Sequence, residues 1–326
     1  MAALSRLRLP NVSAFGSVVP RLLLPALLGL AGCENHNEIS MRSGAELSSE
    51  TFEEVNMDWR ERRVARLTEP HGWLSLAGLV MLQSGSRMTV GSASTNDVVV
   101  SSGPDRWGSI QVADDGRVGF EVAAPGAVRI AGEDVVSAEM TPDGDADPVH
   151  VEAGGIRLHL VSPGGRLALR IRDPRAVTRT EFAGLDYFPL DRSWRVAAEF
   201  IAHPAGSTIQ VANVMGQLIE EPNPGMARFV HEGKTISLEA VLEDDQLFFI
   251  FADRTSGGET YGLGRFLYAE LPRNGRVVLD FNQAYNPPCA FNAYTTCPLP
   301  PQSNRIDAWI RAGERQYAGM PGLEAP

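Results

Sequence analysis

Two cysteines stand close together near the C-terminus, within NQAYNPPCAFNAYTTCPLPPQSNR (Asn282 to Arg305). The spacing Cys289-x7-Cys297 admits four chemistries. In an exported chain, the pair reads as a disulfide. The two can also pack as buried thiols, supply one nucleophile, or contribute to a metal site. A nucleophilic thiol needs a basic neighbour to lower its pKa, and no histidine follows His231. A structural zinc needs four ligands, and this stretch supplies two.

A second polar set lies just upstream, in DRTSGGETYGLGR. Asp253, Arg254, Glu259, Tyr261 and Arg265 surround one expected turn. Acids and arginines so placed form a surface ion network or position a ligand. Gly262 and Gly264 do not make a phosphate loop, because a strand follows them rather than a helix whose N-terminus could meet the anion. They read as turn or bulge residues that let another segment approach closely.

The Asn282–Arg305 stretch has neither helical nor strand period, and irregular segments of this length are uncommon in compact domains. Its prolines lower the entropy of the unfolded chain, and Tyr285, Phe291 and Tyr294 call for burial. The expectation is one pocket lined by this loop and the upstream turn. Its members are Arg254, Glu259, Tyr261, Arg265, Asp280, Asn282, Tyr285, Asn286, Cys289, Cys297, Asn304 and Arg305. The alternative is a loop that only plugs the end of a barrel.

Other chemistries leave no trace. The sequence has no Walker loop, G-x-S-x-G elbow, H-E-x-x-H or C-x-x-C. The six histidines are scattered, and no metal or cofactor is expected. Lys234 is the only lysine, which disfavours Schiff-base catalysis. The formal charge is −11. An acidic body repels phosphate backbones, so nucleic acid is not an expected partner.

The elements that must position these residues are mainly β. Ser48 and Ser49 suit a helix N-cap, and Phe52, Val55 and Trp59 recur at helical spacing, which predicts a helix from Glu50 to Leu67. Glu53, Glu54, Arg60, Arg62 and Arg63 form its expected solvated face. GWLSLAGLVML (72–82) reads as a strand pair or a short buried helix. RMTVG, NDVVVS, GSIQVADDGRVGFEV, AVRIAGEDVV and IRLHLVS read as short strands, with Asp114 to Gly116 as a hairpin turn. GSASTNDVVV resembles the opening of forkhead-associated domains. Ser92 stands where their phosphate-binding arginine would be, so a plain strand-turn-strand is the stronger reading. LALRIRD opens a second series, followed by SWRVAAEFI, STIQVANV, KTISLEAVL, QLFFIFAD, GRFLYAEL and RVVLDF, with a tight turn at Asp244-Asp245. The expected fold is mainly β: an N-terminal helix, then two antiparallel β-sandwich or barrel-like blocks, over 48–165 and 166–320.

Residues 1–32 read as a signal peptide. Arg6, Arg8 and Arg21 precede an apolar run, Leu22 to Leu30, too short to span a membrane. LAGC resembles the lipobox of bacterial lipoproteins, which would make Cys33 the lipidated residue and a membrane its partner. The polar segment 33–47 reads as a flexible tether. The expected location is exported and lipid-anchored, on the extracytoplasmic face of a membrane.

FADRTSGGETYGLGRFLYAEL, VVLDFNQAYNPPCAFNAYTTCPLPPQSNR and IRAGER closely resemble the domain-of-unknown-function 1684 family. WRERRVARLTEPHGWLSLAGLVML and IRDPRAVTRTEFAGLDYFPLD resemble its earlier blocks. The resemblance implies a bacterial and archaeal family whose members share the two cysteines, some without an export signal. That weighs toward structural thiols or a functional site and away from a disulfide. It implies no catalytic roles. Two functions stand side by side: binding of a small ligand or envelope component in the pocket of the 282–305 loop, or hydrolysis of an envelope component by Glu259, Asp280 and Cys289. Phosphopeptide recognition by the first block is a distant third.

Overall fold

The first helix, α1, runs from Ser49 to Thr68 in a computed structural model that describes residues 49–142 and 149–319. The expected signal peptide, Cys33 and the tether lie outside the described residues. α1 buries Phe52, Asn56, Arg63 and Leu67, a spacing that keeps one helical face against the rest of the chain. Glu53, Glu54 and Arg62 face solvent as expected. Arg63 does not: it is 6 % exposed. Arg60 is half-buried and Val55 is exposed. The helix sits on a polar surface, so the apolar stripe alone misplaces its inner face.

Ten strands form the first block: β1 Leu76–Met81, β2 Arg87–Gly91, β3 Val98–Val99, β4 Gly108–Val112, β5 Val118–Val122, β6 Arg129–Ile130, β7 Ser137–Met140, β8 Val151–Ala153, β9 Ile156–Val161 and β10 Ala168–Arg172. They make two five-stranded sheets, ordered β1-β10-β9-β8-β6 and β3-β2-β4-β5-β7. Inward side chains of both sheets share one core, with Val90, Trp107, Ile110, Phe120, Leu158 and Leu169 buried. Along β5 the alternation is plain: Val118 and Phe120 point in, Glu121 out. GWLSLAGLVML resolves into a turn of 3₁₀ helix, Trp73–Ser75, followed by β1. LALRIRD does not open the second block. As β10 it pairs with β1 and β9 inside the first.

The second block holds β11 Arg195–Ala202, β12 Thr208–Ala212, β13 Leu218–Pro222, β14 Gly225–His231, β15 Lys234–Glu243, β16 Gln246–Phe251, β17 Arg265–Glu270 and β18 Arg276–Asp280. Six of them form one sheet, β17-β16-β15-β14-β11-β18. Its end strands β17 and β18 lie side by side, so the sheet is a nearly closed barrel. Leu238, Phe249, Phe251, Leu267, Leu279 and Phe281 fill the interior. The other face of β16 and β17 is covered as well. Phe248, Ile250 and Phe266 pack under Val211 of the β12–β13 hairpin and under Cys297. Burial on both faces explains why QLFFIF is an unbroken apolar run. β13 and β14 alternate in exposure, but charges, a proline and a glycine interrupt their apolar residues, and the sequence pattern passes over them. Both blocks belong to one compact unit.

After the 282–305 stretch, Ala308, Ile310 and Ala312 alternate inward and join the barrel core without forming a strand. This segment, rather than the cysteine loop, is the main filler beside the barrel. At Gly313 (φ +79°) any Cβ would strike the carbonyls of Ala284 and Phe281, which sets how closely the segment approaches. Gly264 (φ +100°) likewise lets Phe251 come near, as expected for this turn. Among the described residues no helix is long and apolar enough to cross a membrane.

Candidate functional site

The expected pocket residues fall into several hydrogen-bonded groups. Arg265 and Asp253 are both fully buried, 3.5 Å apart. Arg265 donates to the carbonyls of Ile310 (2.8 Å), Ala312 and Glu314. Asp253 accepts the Ile310 N–H at 2.7 Å and the Thr255 hydroxyl at 2.8 Å. Together they hold the segment 310–314 against the barrel. Their neighbours in the same turn face outward: Arg254 pairs with exposed Asp307, and Glu259 pairs with Arg311 at 2.9 Å. Tyr261 is half-buried among Leu67, Leu74 and Phe291, and that burial raises its pKa.

Asp280 is held by Arg195 at 2.9 Å and caps the following turn by accepting the Asn282 N–H at 3.1 Å. Asn282 exchanges two bonds with the Asp191 backbone, each 2.9 Å. Asn304 is 1 % exposed and ties β15 to β16, accepting the Glu239 N–H at 2.7 Å and donating to Ile250 O at 3.0 Å. Arg305 is exposed. These groups position backbone. Among the described residues, the one buried polar atom they leave without a hydrogen-bond partner is Arg265 Nε.

Cys289 and Cys297 are joined as a disulfide. The Thr295 hydroxyl donates to Cys289 Sγ at 2.8 Å, and Asn292 fastens the loop to the Leu76 carbonyl at 2.7 Å. The weight that shared cysteines in unexported relatives placed on free thiols is therefore not realised in this chain. Replacing both cysteines by serine is expected to lower stability by about 2.5 kcal/mol, from the entropy of closing so short a ring. That corresponds to a melting temperature about 5–10 °C lower. Calorimetry of the oxidised and reduced native chain checks it, and superimposable melts would refute it.

A different set converges beneath α1. Glu314 is 0 % exposed. It accepts Arg63 Nε at 2.8 Å and the Asn286 N–H at 2.8 Å. Arg63 also donates to Asn286 O at 2.8 Å and lies over the Tyr285 ring, 4.5 Å from its centroid. Half-buried Trp59 approaches the same ring at 6.2 Å. One turn back, Arg60 lies over the Tyr187 ring at 4.1 Å and donates to Phe188 O at 3.1 Å. Tyr187 bridges Glu314 through the backbone. Among the described residues, buried Arg60 Nε, Tyr187 OH and Asn286 Oδ1 have no hydrogen-bond partner. Such groups are rare in folded proteins, and each one asks for a reason.

Of this seam, the sequence reading singled out only Tyr285 and Asn286. Arg60, Arg63, Tyr187 and Glu314 were missed. A signal existed: the polar and aromatic stretches WRERR, LDYFPL, NQAYNPPC and AGER, scattered along the chain, meet at this place. Among the described residues no group of three or more His, Cys, Asp or Glu side chains could hold a metal ion.

A nearly closed barrel, joined to a sandwich and crossed by a helix on a buried arginine–carboxylate pair, defines a mainly β protein with a polar seam. Residues 180–315 match the model of the family described as protein of unknown function (DUF1684), and the chain belongs to that family. The match begins after α1, so the helix supplies Arg60 and Arg63 from outside it. A solution NMR structure of an uncharacterised protein from Haloarcula marismortui is 32% identical, covering 44% of this chain and 81% of that one, with a TM-score of 0.37. A crystal structure of Rad53 1-466 with AMP-PNP is 11% identical, covering 67% of this chain and 51% of that one, with a TM-score of 0.17. No curated protein matches the chain.

Proposed function

We propose that this is an exported, lipid-anchored binding protein that holds a small ligand or envelope component where α1 crosses the Tyr285–Asn286 end of the 282–305 stretch. The observation that carries the reading is the set of unpartnered buried polar atoms there: Arg60 Nε, Tyr187 OH and Asn286 Oδ1. Aromatic walls beside a few convergent polar groups are the usual makeup of a ligand site. Hydrolysis has less support. The Cys289 sulfur is tied in the disulfide, Asp280 is held by Arg195, and Glu259 faces Arg311. A general base or nucleophile must be within reach of a substrate and of its partner group, and none of these three is within reach of another in the hydrogen bonds formed. The lipid anchor rests on the LAGC sequence alone.

Native mass spectrometry of the full chain recovered from membranes tests both parts. The expected mature N-terminus is acylated Cys33, and a small non-covalent ligand is expected to leave on denaturation. Trp59→Ala should reduce its retention about two- to tenfold through loss of the aromatic wall. An unmodified N-terminus elsewhere would end the anchor. No retained mass, and none acquired from an envelope extract, would end the binding reading. Turnover of envelope material that Glu259→Gln abolishes would put the hydrolase in its place.

A further inference from the structure

We infer that the ligand of the α1 seam carries an oxyanion, a carboxylate or a phosphate, gripped by Arg60 and Tyr187 with Arg315 at the rim. The inference rests on the binding reading above and gives it a chemical class. Three guanidinium groups meet at this place: Arg60, Arg63 and Arg315. Arg63 is matched, at 2.8 Å, by the buried Glu314 carboxylate. Among the described residues Arg60 makes no ion pair, although the nearby Glu314 charge acts on it. One of its nitrogens reaches the Phe188 carbonyl at 3.1 Å, and its buried Nε has no partner. Arg315 is exposed and lies 5.4 Å from the Phe188 ring centroid. Among the described residues it too makes no ion pair. Both unmatched cations therefore contact one residue, Phe188.

The opposing charges are few. Glu314 pairs directly with Arg63 and reaches Arg60 only through space. Asp186, whose carbonyl accepts the Arg315 N–H at 2.8 Å, has an exposed side chain. Positive charge is thus in local surplus within a chain whose net charge is −11, and a general attraction for anions does not explain it. The Tyr187 hydroxyl adds a neutral donor. Burial first, then Glu314, raise the pKa of this phenol against the opposing pull of Arg63 and Arg60, so it keeps its proton. An unpartnered guanidinium N–H and an unpartnered phenol O–H, side by side and out of water, are donors without an acceptor. A planar carboxylate or a tetrahedral phosphate supplies acceptor oxygens to both, and arginine suits either geometry.

Calorimetric titration of the purified full chain tests this, with inorganic phosphate, acetate and choline as separate probes at constant ionic strength. Phosphate or acetate should bind saturably and choline should not. The tighter of the two anions gives the source. Arg60→Gln should weaken binding about tenfold or more, the scale of one charged hydrogen bond. Tyr187→Phe and Arg315→Gln, which remove no buried ion pair, should each weaken it about threefold. They keep the test open if Arg60→Gln does not fold. Saturable binding of neither anion, or native affinity in all three variants, overturns the inference. If a neutral ligand is retained and lost in Trp59→Ala while neither anion binds, the oxyanion class is wrong and the binding reading stands. If nothing is retained and neither anion binds, both are wrong.

Discussion

Replacing Glu314 by alanine is expected to remove about 3–5 kcal/mol of folding stability, the scale for breaking a buried ion pair from one side. Glu314 is fully buried and accepts two bonds of 2.8 Å, from Arg63 Nε and from the Asn286 backbone N–H. Without it, a guanidinium that is 6 % exposed has no counter-charge, and a buried amide has no acceptor. Neither group can reach water without moving α1 off the barrel. The attraction between the two charges is not the main reason for the size of the effect, because desolvation opposes it. A second variant separates the two terms. Arg63→Met with Glu314→Met removes both charges and fills similar volume, and it should recover much of the loss. Urea unfolding of the native, single and double variants gives the answer. A Glu314→Ala chain within about 1 kcal/mol of native would show that water already reaches the pair.

This pair also shows where the sequence becomes hard to read. Elements set by local pattern were legible. The Asp114–Gly116 hairpin, the apolar run QLFFIF and the helix behind Ser49 follow from period and turn chemistry, and the mainly β architecture follows from them. Arg63 was not legible. On a helical wheel an arginine belongs on the outside, and it turns inward here only because Glu314, 251 positions away, waits beneath it. No local rule encodes a contact of that separation. Asn56 is buried for the same kind of reason, 3.5 Å from Asp280. The cysteine spacing read first as a disulfide but left thiols open, since spacing gives proximity but not sulfur geometry. LALRIRD looked like the start of a block because a β-strand pattern does not name its sheet.

The candidate residues divide along the same line. Asp280, Asn282 and Asn304 were picked because polar side chains flank an irregular stretch. Irregular backbone has amides and carbonyls that no ladder satisfies, and these side chains satisfy them. Polar residues beside a long loop are thus explained by the loop's own needs. A ligand site is better sought where buried polar atoms remain without a partner after those needs are met, which moves attention to Arg60 and Tyr187.

Arg265→Met should be nearly as damaging as the loss of Glu314, and its damage should be local before it is global. The Arg265 side chain is fully buried. Burial lowers its pKa and Asp253 and Glu314 draw it back up. It donates to three carbonyls, of Ile310, Ala312 and Glu314, in a segment that has no strand partner of its own. Methionine fills the volume and supplies no donor. Asp253 would then be a buried carboxylate without its cation, and three carbonyls would lose their donor, for an expected loss of about 3–5 kcal/mol. Hydrogen exchange distinguishes this from a general loosening. Amides of residues 306–314 should exchange faster while those of β14 and β15 keep native protection in mild conditions. Arg254→Ala is the matched control, since Arg254 pairs with Asp307 where the two side chains are 48% and 68% exposed. It should change stability by less than about 1 kcal/mol. Uniform loss of protection across the barrel in Arg265→Met would mean that the segment 310–314 is not a separately tethered filler but part of the barrel's one cooperative core.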